Sequence, residues 1–76
     1  MEEFMAYLVK NIVTQPDAVN VSVTQDPQGA VVAVRVAEED LARVVGRQGR
    51  TIKSLRTIAM TVGARFGARV RLELIQ

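Results

Sequence analysis

Two glycines placed three residues apart, Gly46 and Gly49, constrain the fold of this 76-residue chain more than any other feature. They separate two stretches whose apolar residues recur at helical spacing, so the chain must join two helices through a very short loop. The residues inside the loop are Arg47 and Gln48, and Arg50 follows it. Because glycine has no Cβ and a helix N-terminus carries partial positive charge, phosphate groups can approach such a loop closely. The alternative is purely structural, a glycine that caps one helix and is followed by a tight turn.

The charged residues divide unevenly between the two halves of the chain. Residues 1–40 hold two basic and seven acidic side chains, a net charge of −5, whereas residues 41–76 hold eight basic and one acidic, a net charge of +7. The basic half is the half that contains the glycine loop. A one-sided basic surface is typical of proteins that bind a polyanion such as a nucleic acid, and we favour this interpretation over an ordinary solvated surface.

The composition argues against an enzyme and against a bound cofactor. The chain has no cysteine and no histidine, so it lacks thiolate ligands, the usual general base and the commonest metal ligand. The three consecutive acids at 38–40 could suggest a metal cluster, but acids in the first turn of a helix are favoured by the helix dipole. The N-terminus is acidic and no apolar run is long enough to span a bilayer, so we expect a cytoplasmic protein that does not enter a membrane.

The first half of the sequence predicts one helix and a hairpin of two strands. Apolar residues three and four apart over 1–14 favour a helix that Pro16 ends, because the residue before a proline is pushed out of the helical region. Alternation over 19–24 and the valine-rich stretch 30–36 predict two strands. The residues from Asp26 to Gly29 are typical of a tight turn, in which proline presets φ and glycine accepts φ > 0.

The second half predicts two helices around the glycine loop and a last strand over 69–74. A short helix opens at the acids 38–40 and ends at Gly46, and a longer helix begins at Arg50 or Thr51 and ends before Gly67. Gly63 inside the longer helix is unfavourable by about 1 kcal/mol relative to alanine, and the sequence offers no reason for it. The core stripe predicted for this helix is Ile52, Leu55, Ala59, Val62 and Phe66.

Over its whole length the chain resembles the KH family of nucleic-acid-binding domains. The order α-β-β-α-α-β, with the glycine loop between the second and third helices, is similar to that of a type II KH domain. The run from Val44 to Arg56 is similar to the KhpA family, small bacterial RNA-binding proteins with one KH domain. The resemblance implies an α+β fold, a three-stranded sheet packed against three helices, and a single KH domain over residues 1–76.

In KH domains the glycine loop and its flanking helices form one wall of a groove that clamps about four nucleotides of single-stranded RNA. The resemblance therefore implies RNA contact by Val45, Gly46, Arg47, Gln48, Gly49, Arg50, Ile52, Lys53 and Arg56. Within this set, Val45 and Ile52 either line the apolar floor of the groove or belong to the core. Arg56 either contacts phosphate or is an ordinary solvated residue. By the same analogy, residues 34–36 belong to the opposing strand.

The aromatic residues are few and are predicted to be core. Phe4, Tyr7 and Phe66 lie on or near helical apolar stripes, and there is no tryptophan. The bases would then contact an aliphatic groove rather than an aromatic platform. We expect binding by one such domain to be weak, salt-dependent and loosely sequence-selective.

The longer helix also carries a strip of uncharged, mostly small residues away from its core stripe. Small residues let two helices approach closely, so this strip predicts a dimer contact, and an exposed helix surface without a partner is the alternative. The resemblance adds that KhpA proteins self-associate and also pair with a larger KH protein, KhpB or Jag. The residues of the strip are Thr57, Met60, Thr61 and Ala64.

The function expected from the resemblance is single-stranded RNA binding, as an RNA chaperone or post-transcriptional regulator. The competing hypothesis is a protein-interaction adaptor that dimerises and binds little RNA, and single-stranded DNA is a further possible ligand. Two features argue against the adaptor hypothesis. The loop contains no acidic residue, and basic side chains are present at Arg47, Arg50 and Lys53. Family analogy points to control of cell shape and division in bacteria.

Overall fold

The computed structural model describes residues 1–75 and has three α-helices and three strands within them. The order α-β-β-α-α-β predicted from the sequence is confirmed. Short 3-10 turns occur at Pro16–Ala18, Glu38–Asp40 and Arg47–Gly49. The main elements are α1 (Glu2–Lys10), β1 (Asn20–Asp26), β2 (Gly29–Arg35), α2 (Leu41–Val45), α3 (Arg50–Arg65) and β3 (Val70–Ile75).

The first helix is shorter than predicted. It ends at Lys10 rather than near residue 14, so Pro16 does not end it and instead begins a 3-10 turn. The side-chain amide of Asn11 donates to the Tyr7 carbonyl at 2.8 Å, and the backbone turns there. Thr14 and Gln15, which follow, are held by hydrogen bonds to Asp40, and periodicity along the sequence carries no signal of such a contact.

The three strands form one sheet in the order β1-β2-β3. β1 and β2 are antiparallel and joined by the predicted tight turn, in which the Gln28 N–H donates to the Asp26 carboxylate at 2.9 Å. Gly29 has φ +136°, and a Cβ there would lie 2.2 Å from the Arg69 carbonyl oxygen. β3 runs parallel to β2, because α2 and α3 return the chain to the same end of the sheet.

The helices pack on one face of the sheet and enclose a small aliphatic core. The stripe predicted for α3 is confirmed at Ile52, Leu55 and Ala59, and Val62 is half-buried. Gly63 is buried where α3 passes over β3, since a Cβ there would lie 2.3 Å from Cγ2 of Val70. The core consists of Met5, Val9, Ala30, Val32, Val34, Val36, Val44, Ile52, Leu55, Ala59, Val70 and Leu72.

The prediction that the aromatic residues are core was wrong. Phe66 is 83% exposed, because α3 ends at Arg65 and the chain reverses through Gly67, whose φ is +70°. Phe4 and Tyr7 are also exposed, since α1 buries the face that carries Met5 and Val9. The aromatic side chains of this protein are therefore not hidden from a ligand.

Candidate nucleic-acid interface

The glycine loop has an unusual backbone conformation. Gly46 ends α2 with φ +79° and ψ 174°, Gln48 has φ +58°, and Gly49 has φ +74°. Two bonds fix this shape, from the Gly46 N–H to the Ala42 carbonyl at 2.9 Å and from the Gly49 N–H to the Gly46 carbonyl at 3.1 Å. Three of the four residues from Gly46 to Gly49 therefore have positive φ. Glycine adopts such angles at little cost in free energy, whereas the same conformation strains the backbone of Gln48.

The two glycines are required for different reasons. A Cβ at Gly46 would lie 2.2 Å from Oγ1 and 2.7 Å from Cβ of Thr51, so α3 begins too close to the loop for any side chain. A Cβ at Gly49 would meet nothing within 4 Å. Only the positive φ favours glycine there, and the surface above Gly49 is left open to a ligand.

The N-terminus of α3 faces this open surface. Gly49 occupies its N-cap position, and no side chain caps the first N–H groups of this 16-residue helix. These N–H groups carry the positive end of the helix dipole. Arg47, Arg50 and Lys53 are exposed around them, and none forms an ion pair within residues 1–75. The arrangement can accept phosphate oxygens through both backbone and side-chain donors.

A shallow hollow of about 510 Å³ continues from the loop along α3. It is lined by Arg50, Lys53, Ser54, Thr57 and Ile58, so basic residues lie at its loop end and neutral ones beyond. Nη2 of Arg50 donates to Oε1 of Gln48 at 3.2 Å, which ties this guanidinium to the loop. A polyanion at the loop could therefore extend along the first two turns of α3.

The remaining predicted site residues lie further from the loop surface. Ile52 is 8% exposed and belongs to the core, and Val45 is half-buried against it, so both support the loop from below. Nε of Arg56 donates to the Leu72 carbonyl at 3.4 Å, which directs this side chain towards β3.

Residues 34–36, which the resemblance assigns to the opposing strand, lie at the end of β2 and just beyond it. Val34 and Val36 are 1% and 8% exposed, and β2 is the central strand with a neighbour on each side. Only Arg35 of residues 34–36 is exposed. It lines a hollow of about 310 Å³ with Val36, Glu38, Leu41 and Ile75, and this hollow lies between α2 and the ends of β2 and β3.

Asp40 is a supporting residue that sequence reasoning missed. Its carboxylate is 1% exposed and accepts the Thr14 N–H at 3.0 Å, the Thr14 hydroxyl at 2.8 Å and the Gln15 N–H at 3.1 Å. The hydrogen bond from the Thr14 backbone is the main reason that the pKa of Asp40 is lowered from its ordinary value. The dipole interpretation remains adequate for the exposed Glu38 and Glu39, but Asp40 instead ties the segment after α1 to the start of α2. No local pattern could reveal partners 25 and 26 residues away.

The residues of the predicted dimer strip, called the α3 strip below, are all exposed. The Thr57 hydroxyl donates to the Lys53 carbonyl at 3.1 Å, and the Thr61 hydroxyl donates to the Thr57 carbonyl at 2.8 Å. These hydroxyls are satisfied within the helix, which lowers the cost of covering them. Met60 is 59% exposed and adds an apolar side chain at the centre of the strip.

Fold and loop together define the class of the protein. A three-stranded mixed sheet with the order α-β-β-α-α-β, and a G-x-x-G loop between the second and third helices, is a type II KH domain. The chain belongs to the KhpA/KhpB KH-domain family, whose model matches residues 2–74. This family is defined by an RNA-binding domain and is not a family of enzymes.

Named relatives cover nearly the whole chain. RNA-binding protein KhpA of Chlamydia pneumoniae is 37% identical over 76 residues, which is 100% of this chain and 97% of the relative. RNA-binding protein KhpA of Streptomyces coelicolor is 46% identical over 75 residues, 99% of this chain and 91% of the relative. RNA-binding protein KhpA of Listeria monocytogenes is 34% identical over 76 residues, with full coverage of both chains.

Neither a membrane-spanning helix nor a cluster of metal ligands occurs in the part of the chain that the structure describes. No helix in residues 1–75 has the length and apolar character needed to cross a membrane. Within the same range, no three acidic, histidine or cysteine side chains are grouped so that they could hold a metal ion.

Proposed function

We propose that this protein binds single-stranded RNA by holding its backbone at the G-x-x-G loop. The observation that carries the proposal is the N-terminus of α3, which no side chain caps and which lies beside the open space at Gly49. Three exposed basic side chains that form no ion pair within residues 1–75 lie around it. The relatives named RNA-binding protein KhpA support RNA as the ligand of this chain.

The roles of the residues follow from their positions. Phosphate oxygens accept hydrogen bonds from the N–H groups at the start of α3 and from the side chains of Arg50 and Lys53. Arg47 adds positive charge from within the loop. Gly46 lets α3 begin directly beneath the loop, and Gly49 leaves room for the sugar-phosphate chain. Because about three phosphates are neutralised, we expect log K to fall with log salt at a slope of about −2. Binding by one domain is therefore weak at physiological salt.

In the cell, we propose that the protein acts as an RNA chaperone or post-transcriptional regulator, without chemistry of its own. The exposed α3 strip supports self-association, which would place two loops in one particle and raise affinity for longer RNA. A family model shared by KhpA and KhpB supports a second pairing, with a larger KhpB-type protein.

The test is binding of short single-stranded RNA by the wild type and by the double variant Arg47→Asp with Gln48→Asp. Asp tolerates the left-handed backbone at position 48, so the variant should fold. The control is Arg65→Asp with Asn20→Asp, which changes the net charge equally at exposed positions outside the loop. We expect the loop variant to lose binding and the control to retain most of it, in fluorescence anisotropy over a salt series.

Other outcomes would redirect the interpretation. Equal loss in both variants would mean that the whole basic half binds nonspecifically and the loop is not the site. Absence of binding by the wild type at low salt would replace the proposal with the protein-interaction adaptor. A parallel titration with single-stranded DNA of the same sequence decides between the two polymers.

A further inference from the structure

The outer edge of β3 has backbone groups that pair with no other strand in residues 1–75. β3 is the last strand of the sheet, and its inner edge pairs with β2. The Ala30 N–H donates to the Arg69 carbonyl at 2.8 Å, and backbone groups point alternately to the two sides of a strand. The groups of Arg71 and Glu73 therefore face β2, whereas those of Val70, Leu72 and Leu74 face outward.

The contacts of this edge agree with that assignment. The Leu72 carbonyl accepts a bond from Arg56, as an outward-facing group would, but the bond is 3.4 Å long and comes from an exposed side chain. Such a bond is easily exchanged. Unpaired strand edges are templates for pairing with another strand, and proteins protect them with proline, bulges, inward-pointing charges or charged side chains along the edge. β3 has no proline, no bulge in its pairing with β2 and no inward-pointing charge, because Val70 and Leu72 point into the core. Its two charged residues, Arg71 and Glu73, point to the outer face and have opposite signs.

The sequence of this edge is complementary to itself. If two copies pair their β3 strands antiparallel with Leu72 opposite Leu72, Arg71 of each copy lies opposite Glu73 of the other. A twofold axis at Arg71 or at Glu73 would instead place identical charges face to face. Opposite charges directly across an antiparallel pair stabilise it and like charges destabilise it. Glu73 has no ion-pair partner within residues 1–75, and Arg71, which contacts Asp26, is still 46% exposed.

Backbone geometry favours the same register. Leu72 opposite Leu72 is a hydrogen-bonded pair in which both copies exchange N–H and carbonyl groups, and Val70 opposite Leu74 is another. The charged residues then occupy non-hydrogen-bonded pairs, where side chains lie closest. One register therefore satisfies the outward backbone groups and both charges at once.

The surface beside the edge leaves room for a second copy. A cavity of about 300 Å³ lies between α3 and β3 and is lined by Arg56, Met60, Val70, Arg71, Leu72 and Glu73. Met60 belongs to the α3 strip, so the strip and the free edge form one continuous surface. Pairing of two β3 strands brings the two α3 helices side by side, and the small residues of the strip suit a close approach.

We propose that two copies of this chain associate by pairing their β3 strands across a twofold axis at Leu72, which joins two three-stranded sheets into one of six strands. The α3 strips pack against each other over the axis. This builds on the homodimer suggested by the strip, and it is independent of RNA binding by the loop.

The test uses two single variants, Arg71→Glu and Glu73→Arg, whose oligomeric state is measured by analytical ultracentrifugation without RNA. In each variant like charges face each other twice, and we expect dimerisation to weaken about tenfold or more. Mixing the two variants places two glutamates opposite two arginines, so the mixture forms a heterodimer as tight as the wild-type dimer. The double variant with both changes also dimerises. Circular dichroism checks folding, because Arg71→Glu also removes the contact with Asp26.

A second measurement avoids charge changes. The chain has no cysteine, so Arg71→Cys and Glu73→Cys each introduce a single thiol. A non-hydrogen-bonded pair has a Cα separation of about 4.5 Å, which a disulfide can bridge. We expect mild oxidation to crosslink the mixture of these variants and neither variant alone. A wild type that stays monomeric up to about 1 mM would overturn the proposal, as would variants that dimerise like the wild type or mixtures that show neither recovery nor crosslinking. RNA binding by the loop can succeed or fail separately, because it is measured with short RNA on monomeric protein.

Discussion

Substitution of Gly63 by alanine separates local helix propensity from tertiary packing. Propensity alone predicts that Gly63→Ala stabilises α3 by about 1 kcal/mol. The structure predicts the opposite sign. A Cβ at Gly63 would lie 2.3 Å from Cγ2 and 2.9 Å from Cβ of Val70, and 3.2 Å from the Ala68 carbonyl oxygen.

The size of the effect depends on whether Val70 can move. Val70 is 6% exposed in β3, and its branched side chain has few alternative rotamers. Forcing an extra carbon into a packed core typically costs about 1–3 kcal/mol, and here α3 must also shift relative to β3. Because α3 must shift, we take the upper half of this range, about 2–3 kcal/mol. After the gain of about 1 kcal/mol in propensity, the net loss is about 1–2 kcal/mol, or a fall in Tm of about 5–15 °C for a domain of this size.

The assay is urea and thermal denaturation followed by circular dichroism, in a cycle with Val70→Ala. Removing both γ carbons of Val70 eliminates the closest contact, so Gly63→Ala should cost at least about 1 kcal/mol less in that background. Stabilisation by Gly63→Ala in the wild type would refute the packing argument. An equal cost in both backgrounds would show that Val70 is not the residue that excludes a side chain at position 63.

Three further predictions concern the loop, the buried acid and the α3 strip. Gly49→Ala should lower the free energy of unfolding by about 1–2 kcal/mol, through the positive φ alone. Gly46→Ala should lower it further, because its Cβ would also meet Thr51. A denaturation experiment that ranks the two variants the other way would contradict this. The folded pKa of Asp40 is lowered, so its contribution to stability is complete above the unfolded pKa of about 3.9 and is lost as pH falls through the folded value. Asp40→Asn should therefore show a smaller loss of stability than the wild type between pH 7 and pH 3 in denaturation experiments, with the exposed Glu39→Gln behaving like the wild type. Met60→Asp should dissociate a homodimer in sedimentation experiments, and an unchanged oligomeric state would exclude the α3 strip as the contact.

Local chemistry explains most of what could be predicted of the fold and of the candidate site. The alternation of valines, the turn from Asp26 to Gly29 and the stripe at Ile52, Leu55 and Ala59 each reflect interactions within a few residues. The position of the glycine loop between two helices follows from the same kind of pattern. These features were confirmed because each depends on periodicity or on a single backbone dihedral angle.

The errors share a different origin. The periodicity predicts an end of α1 four residues too late, because Thr14 and Gln15 are held by Asp40, far along the chain. Helical spacing predicts that Phe66 belongs to the core, but α3 has already ended at Arg65. Burial depends on which elements cover a position, and a single sequence does not report that.

Residue types and their spacing were enough to predict the order of elements, the basic character of the second half and the position of a loop that phosphate can approach. All three are properties of residue type and spacing along one stretch of chain. Three features appear only in the folded chain: the buried Asp40 that supports α2, the lack of room for a side chain at Gly63, and the outer edge of β3 that pairs with no strand in residues 1–75. Each of these depends on a contact, or on the lack of one, between segments distant in sequence, where distance and direction in space determine the energy.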